Sequence, residues 1–163
     1  MFVSCPTTLS PAQEAARGQI IRQLERLNLE PHALGRADYP HELLREVLLL
    51  ARHCSGGVIL GFEQYRSLAG VEKQGTPAES EHNQERLFPT PWNHIEAGIL
   101  YAESLPLLIF REPGIDGGVF DPGVTDIFVQ DMPGEREVPA RELALTELFL
   151  KWHALVNAHY YNV

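Results

Sequence analysis

The run Val58-Ile59-Leu60-Gly61-Phe62 follows Gly56-Gly57 and carries no polar residue on either side of its pleat. A strand with one wet face alternates apolar and polar residues, whereas a strand covered on both faces reads as a continuous apolar run. The segment therefore predicts a central strand of a parallel sheet. The remaining chain must then supply helices for both faces.

Those helices are legible on either side. Ser10-Pro11-Ala12-Gln13 reads as an N-cap, an N1 proline and a capping-box glutamine, and Ala16, Ile20, Leu24 and Leu27 continue as one apolar stripe. Leu43, Leu44, Val47, Leu48 and Ala51 mark a second helix. Thr90-Pro91 opens a third, whose Ile95, Gly98, Ile99 and Ala102 predict its sheet-facing side, and Leu105-Pro106 ends it. A last helix starts near Pro139. Its Leu145, Leu148, Phe149, Trp152, Leu155 and Val156 predict a stripe wide enough for a subunit contact, with Trp152 as anchor.

Further strands are predicted at Phe2-Val3, at residues 29–34 as a half-exposed strand, at Leu107-Leu108-Ile109-Phe110 and at Ile127-Phe128-Val129. Residues 63–91 are polar, glycine- and proline-punctuated and long for a connection, as lids often are. Strands alternating with helices predict an α/β fold in residues 1–163 as a single domain. Its expected form is a doubly wound, flavodoxin-like parallel sheet of about five strands with helices on both faces.

A formal charge of −9 repels phosphate backbones and anionic lipid surfaces, which argues against nucleic acid and membrane partners. The opening residues MFVSCPTTLS lack the basic residue and apolar length of a signal peptide, and no stretch reaches the length of a membrane span. Two cysteines, Cys5 and Cys54, form neither a disulfide framework nor a zinc spacing. A cytoplasmic chain without metal or cofactor is the expectation. Gly-x-x-x-x-Gly-Lys, Gly-x-Gly-x-x-Gly and Gly-x-Ser-x-Gly are all absent, which removes the nucleotide-binding and hydrolase modes that depend on them.

In a doubly wound sheet, ligands bind outside the carboxyl ends of the strands. The predicted rim comprises residues 4–8, 36–40, 62–65, 90–96 and 112–116. Glu96 is the candidate catalytic residue, because Thr90 as N-cap puts it in the second helical turn beside the cleft, one turn after Trp92. A solvated helix residue stabilised by the dipole is the alternative. Ser4, Cys5, Pro6 and Thr7 offer hydroxyls and backbone N–H groups at a helix start, and Asp38, Tyr39, Phe62, Trp92 and Asn93 complete the candidate substrate-binding set. Cys5 reads either as a thiol near a helix N-terminus or, more commonly at such positions, as a small buried residue.

The run Thr90-Pro91-Trp92-Asn93-His94-Ile95-Glu96-Ala97-Gly98, with Ala102 and Leu105-Pro106-Leu107-Leu108-Ile109, resembles the nucleoside deoxyribosyltransferase family. Phe2-Val3-Ser4, Arg36-Ala37-Asp38-Tyr39-Pro40 and Trp92 before Glu96 are similar to the Toll/interleukin receptor (TIR) fold. The resemblance implies a carboxylate acting at the sugar C1′, matched here by Glu96. The departures are the Thr90-Pro91-Trp92-Asn93 lead and the Ser4-Cys5-Pro6 loop, which differ from the transferase pattern. The expected function is hydrolysis or transfer of an N-glycosidic bond in a nucleoside, nucleotide or NAD-like substrate, by a homodimer or higher homo-oligomer. A non-catalytic nucleotide-sensing or TIR-like interaction module is the alternative.

Overall fold

The computed structural model describes residues 1–33, 42–125, 129–136 and 138–162. Four parallel strands form the central sheet in the order β1 (Phe2–Ser4), β2 (Gly57–Gly61), β7 (Leu107–Arg111), β8 (Val129–Asp131). Phe2 stands beside Gly57, Gly57 beside Leu107, and Ile109 beside Val129. All five residues of β2 are buried, as a strand covered on both faces requires.

Two helices cover each face. On one side α1 (Pro11–Arg26) and α4 (Pro139–Asn162) close a core of Val3, Ile20, Leu24, Val58, Leu60, Phe110, Phe149 and Trp152. On the other, α2 (Leu43–Arg52) and α3 (Pro91–Ala102) cover Phe2, Ile59, Leu107 and Ile109 through Val47, Ala51, Ala97 and Leu100. Alternate residues of β2, Val58 and Leu60 against Ile59, thus feed the two cores separately. The capping box of α1 forms as expected, Gln13 N–H donating to Ser10 Oγ at 3.2 Å and Ser10 N–H to Gln13 Oε1 at 2.9 Å.

The sheet has four parallel strands among the described residues. Other expectations are corrected. In place of a strand at 29–34 there is a single parallel bridge, His32 to Phe2, with Val3 N–H donating to the His32 carbonyl at 2.8 Å. Pro31 has no N–H to continue the ladder there, and Leu34 lies outside the described residues. Ile127 and Phe128 lie outside them too, and the last strand begins at Val129. The buried side of α3 is Asn93, Ala97 and Leu100, while Ile95 is 41% exposed and Gly98 and Ala102 face solvent.

Residues 63–91 are likewise not an irregular loop. They fold as an antiparallel ribbon in which β3 (Tyr65–Ser67) pairs β6 (Arg86–Phe88), and β4 (Gly70–Glu72) pairs β5 (Ser80–His82). The register slips by one residue between the two pairs, since Tyr65 faces Phe88 whereas Gly70 faces His82. Arg66 bonds Glu63 and Glu85, each at 2.7 Å, and Arg86 pairs with Glu72. Leu87 anchors the ribbon to the body, bridging to Ile115.

Gly61 ends β2 against the fully buried ring of Phe120, which occupies the place a β-carbon would take. An added β-carbon would require that buried ring to shift. Gly61→Ala should therefore cost about 1–3 kcal/mol of stability. A denaturation midpoint unchanged from that of the parent would show that Phe120 repacks freely.

Candidate functional site

Ser4 closes β1 and projects from the carboxyl end of the sheet, where α3 begins. Thr90 caps α3 by accepting the Trp92 N–H at 3.3 Å, and Pro91 occupies the first helical position, so the helix starts at a fixed point above β1 and β2. Asn93 lies in the first turn on the buried side, and its Nδ2 donates to Ser4 Oγ at 2.7 Å. Asn93 is fully buried and Ser4 is 1% exposed. Glu96 stands one turn further along, partly buried beside the same hydroxyl.

Burial pushes the Glu96 carboxyl above its usual value, and hydrogen bonding from Ser4 opposes that rise. The hydrogen bond that fixes the Ser4 hydroxyl is the one from Asn93. The Cys5 thiol is pushed up to about 12, chiefly by burial, with Arg17 opposing and Glu14 and Glu96 adding to the effect. Cys5 Sγ donates to the Pro6 carbonyl at 3.4 Å. It is therefore a protonated thiol and not a nucleophile. Alkylation of Cys5 by iodoacetamide at pH 8 should be far slower than that of a free cysteine, as mass spectrometry of the peptide would report; labelling at the free-thiol rate would reverse this assignment.

Of the candidate residues, Ser4, Cys5, Asn93 and Glu96 converge. Trp92 is partly buried one turn before Glu96, and Thr7 is exposed on the loop. Pro6 is buried. Phe62 is fully buried among the side chains under α1 and α4. Ser4 and Asn93 are buried as well. Asp38 and Tyr39 lie outside the described residues.

The rim also contains a knot that separations of 49 and 99 residues hide from sequence reading. Glu112, one residue past β7, accepts from Glu63 N–H at 2.5 Å and from Gln13 Nε2 at 3.0 Å. Gln13 also donates to the Glu63 carbonyl at 3.2 Å. These bonds tie the start of α1 to the ends of β2 and β7. Arg111 Nη1 donates to the carbonyls of Ile115 and Phe120 at 3.2 and 2.9 Å, holding the glycine-rich loop closed over Phe120. The edge of the His94 ring meets Phe120 at 5.3 Å, and burial pushes its imidazole below the usual value.

A cavity of about 810 Å³ lies at the opposite end, where β7 begins, lined by Leu105, Pro106, Leu107, Leu148, Trp152 and Leu155 among others. Its described lining also includes Tyr101, Lys151 and His159. Among the described residues no group of three or more His, Cys, Asp or Glu side chains is placed to hold a metal ion. No described helix is long and apolar enough to cross a membrane. Comparison of the chain with family models, with curated proteins and with solved structures finds no match.

Proposed function

We propose that this chain hydrolyses or transfers the N-glycosidic bond of a nucleoside, nucleotide or NAD-like substrate, with Glu96 as the reacting carboxylate. The observation that carries the reading is the partly buried Glu96 on α3, one turn after Asn93, whose amide is bonded to the Ser4 hydroxyl at the carboxyl end of β1. The sheet is read as doubly wound about β1 and β2, with the His32 bridge marking the fifth strand position. In that winding a ligand would lie between the loop after β1 and the root of the ribbon after β2.

In the ionised state Glu96 stabilises positive charge at the sugar C1′ or adds to it, while the C1′–N bond breaks and its electron pair leaves with the base. A purine or pyrimidine base takes up a proton as it leaves, whereas nicotinamide departs from NAD already neutral; a water that captures C1′ gives its own proton to solvent. Water or an acceptor base then captures C1′, which frees the carboxylate. No cofactor enters these steps. The reading includes a cytoplasmic homodimer or higher homo-oligomer acting on a small molecule, with no nucleic acid or membrane partner.

The test is to incubate the protein with a panel of nucleosides, nucleotides and NAD and to measure free base by chromatography. Base release by the parent chain that Glu96→Gln lacks supports the reading; no release from any member sinks it. A non-catalytic nucleotide-binding module is the second reading, favoured by the burial of Ser4 and Asn93, which removes two donors from ligand contact.

A further inference from the structure

We propose that the cavity where β7 begins is a binding site for an anionic amphiphile, a carboxylate carried on an apolar chain, with its head group at Lys151 and its chain against Leu107 and Trp152. It lies at the opposite end of the sheet from Glu96 and does not rest on the glycosidic reading.

Size and wall chemistry set the first limit. About 810 Å³ lies within the range of small-molecule sites, which are lined mainly by apolar side chains with a few polar groups that fix orientation. Leu105, Leu107, Leu108 and Trp152 are buried residues that also line this cavity, so its inner part is hydrocarbon and indole. The one side-chain polar atom among these four, Trp152 Nε1, already donates to the Pro106 carbonyl at 3.1 Å. A chain without polar atoms therefore gains burial there and leaves no hydrogen bond broken.

The rim sets the sign of the head group. The chain carries a formal charge of −9, yet the ionisable cations Lys151 and His159 line this cavity and no carboxylate does among its described lining. Lys151 is exposed and makes no ion pair or side-chain hydrogen bond among the described residues. An unpaired ammonium at the edge of an apolar cavity complements one negative group. Tyr101 and Ser104 add hydroxyl donors to the lining.

Two neighbouring features that would repel an anion are already occupied. Glu103 is held by Arg52 at 3.2 Å, and the carbonyls of Ile99, Leu100 and Tyr101 at the end of α3 accept from the N–H groups of Glu103, Leu105 and Ser104. Glu147, one turn before Lys151 on α4, is outside the lining.

The experiment titrates the full chain with decanoate and follows the emission of Trp152 in Trp92→Phe, which leaves one of the two indoles. Emission should change saturably, with a single decanoate bound per chain. Lys151→Glu should weaken decanoate roughly tenfold, through lost attraction and new repulsion, while Lys151→Arg binds it as the parent does. Decanol has the same chain without the charge; it should bind more weakly than decanoate and with equal affinity to the parent and to Lys151→Glu. Leu155→Glu adds a carboxylate to an exposed part of the wall and should also exclude decanoate. Isothermal titration calorimetry of the parent gives the same comparison if Trp92→Phe does not fold. The absence of saturable binding, decanol bound as tightly as decanoate, or a decanoate affinity unmoved by Lys151→Glu would overturn the proposal. Light scattering that finds a dimer closed to decanoate would overturn it too, since a second copy of the chain would then cover the cavity.

Discussion

If Glu96 is the reacting carboxylate as proposed, Glu96→Gln should lower base release by at least about a thousandfold while making the folded protein more stable at neutral pH. The loss would follow from charge: the amide keeps the shape but offers no negative charge to a C1′ centre that becomes cationic as the base departs. The gain in stability follows from burial, which raises the carboxyl of Glu96 above its usual value in the folded state. The folded protein then holds this proton more tightly than the unfolded chain does. The stabilisation linked to the proton is fully present below the unfolded value and is lost as pH rises through the folded one. At neutral pH the parent therefore bears the cost of a desolvated charge that the glutamine variant does not. Denaturant titrations at pH 4 and pH 7 should show the two proteins converging at the lower pH. An equal gap at both would mean that Glu96 is solvated in the folded state, and residual base release in the variant would remove the carboxylate from the chemistry.

Trp152 carries the second large effect. Its indole is 3% exposed, meets Phe149 edge-on at 5.9 Å and donates from Nε1 to the Pro106 carbonyl at 3.1 Å. It is an intrachain core residue, which corrects its expected role as the anchor of a subunit contact. Trp152→Ala should cost about 3–5 kcal/mol, a large part of the margin of a domain this size. The loss combines the cavity with an unpaired Pro106 carbonyl. Trp152→Glu, expected from the amphipathic pattern to yield a folded monomer, should instead fail to fold, because it buries a charge with no partner. Chemical denaturation and circular dichroism check both variants. A parent-like midpoint for the alanine variant would place the indole outside the core.

Strand positions were legible where burial on both faces left no alternation to misread, as at β2 and β7. The start of α1 was legible because Ser10, Pro11 and Gln13 state their cap chemistry within four residues. The rotation of α3 was not. Ile95 and Ile99 suggested an apolar stripe, but the face that packs includes the polar Asn93, whose amide finds its partner 89 residues away. Exposed Ile95 is the consequence. The ribbon at residues 63–91 was missed for a related reason. Tyr65 and Leu68 are 66% and 71% exposed, so no alternating pattern marks its faces, and its seven-residue turn lacks the Asn-Gly or Asp-Gly pair of a tight hairpin. Of the site, Glu96 and its neighbours could be read from helix phase and topology. The burial of Ser4, Asn93 and Phe62 could not, because side-chain exposure at strand ends depends on what lies above them.

The two ends of that ribbon meet where Gln64 N–H donates to the Phe88 carbonyl at 2.9 Å. A segment whose entry and exit are clasped at one point can change length while the chain on either side keeps its path, and the closure entropy grows only slowly with the residues added. The tip between β4 and β5 is thus a natural port for grafting. An epitope, a fluorophore-binding peptide or a whole reporter domain inserted at residues 74–78 would be carried outside the sheet, with Leu87 as the fixed peg between cargo and body.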